Sequence, residues 1–337
     1  MPASPVGIID SLASGFEIVA AHLQILLLPL GVDLFLWLGP RVSVRPFMPG
    51  LEQFWMSLVP YADSTSKSQV MDYVHEAQIL AQTAPDRYLP ILLPPTLLGG
   101  RQASVLPFNF RPSVIEAWTW NLGAILVALL SSLVLVEIYC AWIALYVRDE
   151  PFSLWSFTRQ VLSVMLQSIL AIGGSLMIGL ALLALLLLGF GILGMIGSDA
   201  LIIGATWLLF ALVFIFVIPA CMMAVFTLHS MFLNRRNILA AMWDSVRVVQ
   251  WNMLPTTILM VLVVGIYFAM NVIWSLADRG SWLTLAAMGG NAFISTGLIA
   301  ATFVYYKDRY RHWRELREAV LAELERRRAQ QDDKRQV

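Results

Sequence analysis

The sequence predicts an all-α fold embedded in a membrane, with about six spanning helices arranged as three hairpins. Three observations predict it. First, 59% of the 337 residues are hydrophobic and only 13% are charged, with a mean hydropathy of +0.74. A soluble domain carries about a quarter charged residues, so too few remain here to cover a water-facing surface. Second, the segments 22–40, 119–146, 168–194, 200–228, 252–276 and 283–306 are mostly apolar. Each comes near the length of about 20 residues that a helix needs to cross the hydrocarbon with its backbone satisfied internally. Third, an amphipathic stretch precedes each odd-numbered span, so a surface helix followed by a membrane hairpin recurs along the chain.

Residues 1–40 supply the first surface helix and the first span. MPASPVGIID contains no Lys or Arg and lacks the basic start of a secretory signal, so this end is expected to be retained. Ser4 and Pro5 offer a cap and a first-turn proline. Within 5–21, Ile9, Leu12, Phe16 and Val19 recur at helical spacing, with Asp10, Ser14 and Glu17 elsewhere. The span 22–40 (HLQILLLPLGVDLFLWLGP) is short and holds Pro29, whose missing N–H frees the Ile25 carbonyl.

Residues 41–118 are too long for a simple connection and are expected to form an extracytoplasmic cap. SKSQVMDYVHEAQILAQTA reads as a helix with Val70, Val74, Ile79 and Leu80 as its apolar positions. LPILLPPTLLGGRQ reads as a Pro/Gly-broken apolar segment against a membrane or a partner.

The bundle 119–306 holds the remaining five spans. The second surface helix, 151–167, opens at Pro151 and lines up Trp155, Thr158, Leu162 and Met165. The third, 237–251, lines up Leu239, Met242, Val246 and Val249, with Asp244 three residues from Arg247. Trp155, Trp243 and Trp251 suit the headgroup level. Pro219 and Pro255 are expected to weaken their spans as Pro29 does. Small residues point to helix packing: Ala286 and Gly290 followed by Asn291 and Ser295, and Gly189, Gly191, Gly194 and Gly197. The tail 307–337 reads as a basic cytoplasmic helix to about Arg328, with QQDDKRQV disordered beyond it.

Orientation follows from the short loops. With the N-terminus inside, Arg148, Arg159, Arg235, Arg236, Arg247 and the run from Lys307 to Arg317 fall inside, and Arg279 alone falls in a short outside loop. Arg41 and Arg45 argue the other way, from a loop too long for the rule to apply cleanly. Both termini are therefore expected to be cytoplasmic.

The chemistry-bearing inventory is sparse. Net charge is zero and the pI is near 6.9, so no field favours nucleic acid. Cys140 and Cys221 sit in apolar runs without a CxxC, and His22, His75, His229 and His312 are scattered. HExxH, Walker and GxSxG patterns are missing and no GxGxxG follows a strand, so no catalytic, cofactor-binding or metal-ligating residues are expected, and the chain is expected not to be an enzyme. Two groups remain. Asp33, Glu137 and Asn271 fall at hydrocarbon depth, where a carboxylate costs roughly 2.5–3.5 kcal/mol and must face protein or water. Asp33 and Glu137 both lie about 14–15 Å above the cytoplasmic boundary at the helical rise, on consecutive spans, and form a candidate intramembrane polar site. Lys307, Arg309, Arg311, Arg314 and Arg317 form a candidate lipid-facing basic cluster, diluted by Asp308, Glu315 and Glu318.

SLASGFEIVAAHLQILLLPLGVDLFLWLGP, and RRNILAAMWDSVRVVQWNMLPTTILM ahead of an apolar span, resemble uncharacterised bacterial multi-pass membrane proteins of the YciC type. They also resemble the membrane domain fused to some glycerophosphodiester phosphodiesterases. The likeness is one of pattern over most of the chain: surface helix, proline near the start of a span, apolar hairpin. It implies a bacterial inner-membrane location and assigns no functional residues. The phosphodiesterase barrel is absent from this sequence.

The expected function is that of a non-enzymatic accessory or scaffold subunit whose partners are the lipid bilayer and other membrane subunits. The alternative is a secondary transporter or channel-like carrier using Asp33 and Glu137. An enzyme acting on lipid ranks last, for want of any catalytic constellation.

Overall fold

Long apolar runs with few breakers should give long helices, and the described residues are helical almost throughout. The computed structural model describes residues 5–39, 41–42, 48–61, 64–83, 114–115, 118–196, 199–275 and 283–336. Its helices are α1 (Ile8–Ala21), α2 (Leu27–Leu38), α3 (Met48–Leu58), α4 (Ser64–Thr83), α5 (Trp118–Arg148), α6 (Leu154–Ile196), α7 (Asp199–Leu233), α8 (Ile238–Trp251), α9 (Met253–Ser275) and α10 (Leu283–Gln336). Short 3-10 turns cover Leu23–Leu26 and Val59–Tyr61. Two two-residue strands, β1 (Arg41–Val42) and β2 (Val114–Ile115), pair in parallel with Arg41 opposite Val114.

Among the described residues, four helices are long and apolar enough to cross a membrane: Leu129–Arg148, Leu154–Leu186, Met253–Trp274 and Leu283–Arg328. The broken pair Ile8–Ala21 and Leu23–Leu38 makes a fifth if it counts as one span. The remaining expected span, 200–228, falls within α7, of which Pro219–Leu233 is described as a shorter apolar helix.

Proline explains where surface helix and span part company. His22 ends α1 by donating to Val19 O at 3.2 Å, and its own carbonyl accepts from Ile25 N at 3.0 Å. Asn252 does the same after α8: its N–H meets the Val248 and Val249 carbonyls, and its carbonyl accepts from Thr256 N at 2.9 Å. Pro255 occupies the third residue of α9, within the first turn, where a missing N–H breaks no helical bond, whereas Pro29 follows the 3-10 turn directly and leaves the Ile25 carbonyl without its N–H partner one turn on. Pro255 therefore does not weaken its span as the sequence suggested, and Pro219 sits inside α7. The stretch after 167 has no such proline, so the surface helix expected at 151–167 and the span expected at 168–194 are one uninterrupted helix, α6. The tail likewise continues α10 through Gln336 rather than ending near Arg328. Its run of Glu, Arg, Ala and Gln has strong helix propensity, and Arg327 Nε meets Glu323 Oε1 at 3.0 Å.

The surface helices dock through a face that periodicity marked only in part: Val19 and Val249 of the expected stripes are buried, but others are not. Ile9, Trp155, Leu162, Leu239, Met242 and Trp243 point outward. Buried instead are Ser11 and Gly15 on α1, Val161 and Val164 on α6, and Ala241, Asp244, Ser245 and Val248 on α8. The outward apolar face suits lipid, and the smaller, more polar face lets backbones approach.

The chain divides into two compact units. Unit 1 comprises residues 1–18, 140–263 and 299–337. Its core is aromatic: Phe226 stacks on Tyr306 at 5.5 Å, and the His229 ring stacks on Phe303 at 3.9 Å. Unit 2 comprises residues 19–139 and 264–298. There Val32, Leu36 and Trp37 of α2 pack on Ala287 and Met288 of α10, with Leu135 and Trp274 against them. Gly290 lies under the Trp274 ring, where a Cβ would come within 2.6 Å of Cζ2, whereas a Cβ at Gly189 would meet nothing within 4 Å. Within the expected cap, α3 and α4 form a hairpin tied by Gln78 Nε2 donating to Glu52 Oε1 (2.8 Å) and by Trp55 stacked on Tyr73 (5.3 Å). Val74 is buried and Ile79 is exposed. LPILLPPTLLGGRQ lies outside the described residues.

Candidate functional site

Unit 2 gathers polar side chains in its interior. Asp33 of α2 is wholly buried and Glu137 of α5 is 2% exposed. Ser132, Thr284, Asn291, Ser295 and Thr296 are buried in the same unit, and Tyr139 Oη donates to Thr296 Oγ1 at 2.7 Å. Thr284, Asn291, Ser295 and Thr296 follow helical spacing on α10, so one helix face carries most of this polar surface. Asn271 is half-buried on α9, and its Nδ2 donates to Tyr267 O at 3.1 Å. That is a local bond one turn back along its own helix. Asp33 and Glu137 thus share a buried setting, while Asn271 is engaged along α9.

The basic row of α10 is held by protein groups. Lys307 Nζ donates to Val147 O at 2.7 Å, at the end of α5. Arg309 is 8% exposed: its Nη2 donates to Val6 O at 3.1 Å and its guanidinium lies over the Tyr305 ring. Asp308 completes this clasp on the N-terminal segment by accepting from Val6 N at 2.8 Å. Arg311 pairs with Asp308 at 3.0 Å, Arg314 with Glu318 at 3.5 Å, and Arg317 lies over Trp313. Arg309 is therefore not lipid-facing, because its charge is spent inside unit 1. Arg311, Arg314 and Arg317 keep exposed side chains with carboxylate or aromatic neighbours.

Sequence reasoning missed a polar junction where α5, α6, α7 and α8 meet. The end of α5 closes with Asp149 in a left-handed conformation (φ 58°), its N–H on Tyr146 O and the Glu150 N–H on Leu145 O. Arg235, just past α7, also has positive φ (51°). Glu150 joins the two turns, lying 3.3 Å from Arg148 Nε and 2.7 Å from Arg235 Nη2. The Phe232 carbonyl, left open at the end of α7, accepts from Arg148 Nη1 and from Gln160 Nε2. Gln167 Oε1 accepts from Ile238 N at 2.7 Å, which ties α6 to the start of α8. The signal in the sequence was the conjunction of Arg148, Glu150, Arg235 and Arg236 at helix ends, legible only once those ends meet in space.

Beside this junction Asp244 is buried on α8, with Arg236 Nε 3.7 Å from its Oδ2, an ion-pair distance rather than a hydrogen bond. Burial pushes the Asp244 carboxyl above its ordinary value, against the opposing pull of Arg236, Tyr310, Arg247 and Arg317. A cleft of about 480 Å³ opens next to it, with Trp155, Arg159, Gln160, Gln167, Arg235 and Arg236 among its walls.

His229 is a core residue. Its ring nitrogens lie 2.6 Å from Val225 O and 2.8 Å from Thr302 Oγ1, so both are occupied. Among the described residues no three His, Cys, Asp or Glu side chains cluster so as to hold a metal ion. The chain matches no protein-family model, no curated protein and no solved structure.

Proposed function

We propose that this chain is a non-enzymatic, multi-pass integral membrane protein that serves as an accessory or scaffold subunit. In this reading six spans form three hairpins, with both termini and the surface helices on the cytoplasmic side of a bacterial inner membrane. The pattern-level resemblance to YciC-type and phosphodiesterase-associated membrane domains is then one of shared architecture.

The observation that carries the reading is the state of α6. No residue of the apolar window of Leu154–Leu186 is buried within the chain, whereas about half of the corresponding windows of Leu129–Arg148 and Leu283–Arg328 is buried. Lipid tails are as apolar as leucine, so a spanning helix gains its stability from close packing rather than from burial as such. A long helix whose apolar window is unburied within the chain is therefore suited to packing against another membrane subunit. Meanwhile the polar side chains of unit 2, Asp33, Glu137, Asn291, Ser295 and Thr296 among them, are buried by protein.

The second reading, a secondary transporter or channel-like carrier, draws on the burial of Asp33 and Glu137 in that one interior. Water access separates the two. In a chain with Cys140 and Cys221 replaced by Ala, Ser132→Cys and Ser295→Cys place thiols in the interior. The accessory reading expects a membrane-impermeant thiol reagent to leave both unmodified in intact vesicles and to reach them after denaturation. Modification in intact vesicles supports the carrier instead.

A further inference from the structure

The cleft at the start of α6 is lined by three guanidiniums, those of Arg159, Arg235 and Arg236, and by no carboxylate. Arg159 is exposed and has no ion-pair partner among the described residues. Arg235 and Arg236 are paired from outside the cleft, with Glu150 and more loosely with Asp244. Their positions are built rather than incidental. Arg235 holds a left-handed backbone that costs a non-glycine residue roughly 1 kcal/mol or more, and such outliers persist where the surroundings over-determine them. Gln160 and Gln167 also line the cleft, fixed by their bonds to Phe232 O and Ile238 N. Three guanidiniums lining one cleft suit a phosphate, since a planar guanidinium offers parallel N–H donors to its oxygens.

The neighbouring surface says where that phosphate comes from. Ile169, Leu170 and Ile172 are exposed immediately beyond Gln167, and every described residue from Ile172 to Leu186 is exposed. Trp155, 79% exposed on the other side of the cleft, has the amphipathic ring favoured at headgroup level. A polar anionic head and an apolar tail are thus matched in succession along one helix. We propose that the cleft binds the phosphate headgroup of an anionic phospholipid, with its acyl chains lying on α6 beside Ile169 and Leu170. The rest of the α6 circumference stays available to a protein partner, so this site does not depend on the accessory reading.

The test uses the full chain in mild detergent with phosphatidylglycerol and phosphatidylcholine in equal amounts, the bound lipids being counted by native mass spectrometry. The expected result is a preference for phosphatidylglycerol that falls about fivefold with Arg159→Gln and again with added Arg236→Gln, at about 1 kcal/mol per arginine near a membrane surface. Removing the same charge from the exposed tail, with Arg326→Gln and Arg328→Gln, should leave the preference intact. Arg159→Gln alone decides the matter if the double variant unfolds, since Arg159 holds no ion pair. An unchanged preference in Arg159→Gln overturns the proposal. Millimolar inorganic phosphate should not displace the lipid; displacement would make this a site for a soluble anion and overturn the lipid assignment.

Discussion

Gly15 of α1 lies against the backbone of Ala301 of α10, so closely that a Cβ at Gly15 would overlap the Ala301 amide and stand 2.6 Å from its Cα. The two helices meet here through small residues, and Ala300 beside Ala301 is also buried. The contact lets the N-terminal helix settle low enough for Val6 to reach Asp308 and Arg309.

Gly15→Ala should therefore destabilise the protein by about 1–3 kcal/mol, the usual range for forcing a methyl into a filled contact. Gly179→Ala in α6, where a Cβ meets nothing within 4 Å, should be neutral or slightly stabilising, since Ala is the better helix former. Thermal unfolding midpoints in one detergent check both, and equal midpoints for the two variants would remove the close-packing account.

The start of α8 rests on Asn237, whose side chain accepts from Ala240 N at 3.0 Å. Replacing it with Ala should lower stability by about 1 kcal/mol, and with Asp by much less, because Asp caps equally well. A loss of the same size in both variants would show that the side chain acts through something other than the cap.

Asp33→Asn and Glu137→Gln keep shape and hydrogen bonding in the interior of unit 2. Both should insert and remain monodisperse in detergent, with midpoints within about 1 kcal/mol of the parent, as an exchange between hydrogen-bonded groups allows. Size-exclusion chromatography after membrane extraction provides the check. Aggregation of either variant would mean that an ionised carboxylate is required there.

Asp244 supplies a pH signature outside the spans. Its carboxyl is raised by burial above the ordinary value of 3.8, with Arg236, Arg247, Arg317, Tyr306 and Tyr310 around it. Because the folded chain holds this proton more tightly than the unfolded chain, the linked stability is present at low pH. It is lost as pH rises from the unfolded value through the raised folded one. Relative to Asp244→Asn, the parent should lose stability as pH rises through that window. Parallel melting curves across pH 4–7 would contradict the assignment.

The membrane class and the helical fold were legible because hydrocarbon leaves a compositional trace in every span. Surface helices α1 and α8 were legible from apolar residues at helical spacing. Their docking faces were legible only at Val19 and Val249, because Ser11, Gly15, Ala241 and Ser245 are small or polar, and an apolar pattern search reads them as background. The fusion of 151–167 into α6 turns on the missing proline after Gln167, a signal visible in the sequence but outweighed by the repeat. Asp33 and Glu137 stood out as carboxyls in apolar runs. Arg309 was misplaced because a charge run reads as one solvated face, whereas α10 turns Asp308 and Arg309 inward. The Arg159–Arg235–Arg236 cleft joins residues from two separated segments, and no local pattern records that meeting.

Site-directed labelling tests the central claim, an integral protein whose two ends share one side, most directly. In right-side-out vesicles carrying the cysteine-free chain, single cysteines replace Asp10, Asp72 on α4 and Arg328, all exposed. The account predicts that an impermeant maleimide modifies the Asp72→Cys chain at once, and modifies Asp10→Cys and Arg328→Cys only after the vesicles are opened. Modification of Asp10→Cys and Arg328→Cys on opposite sides of the membrane would contradict it.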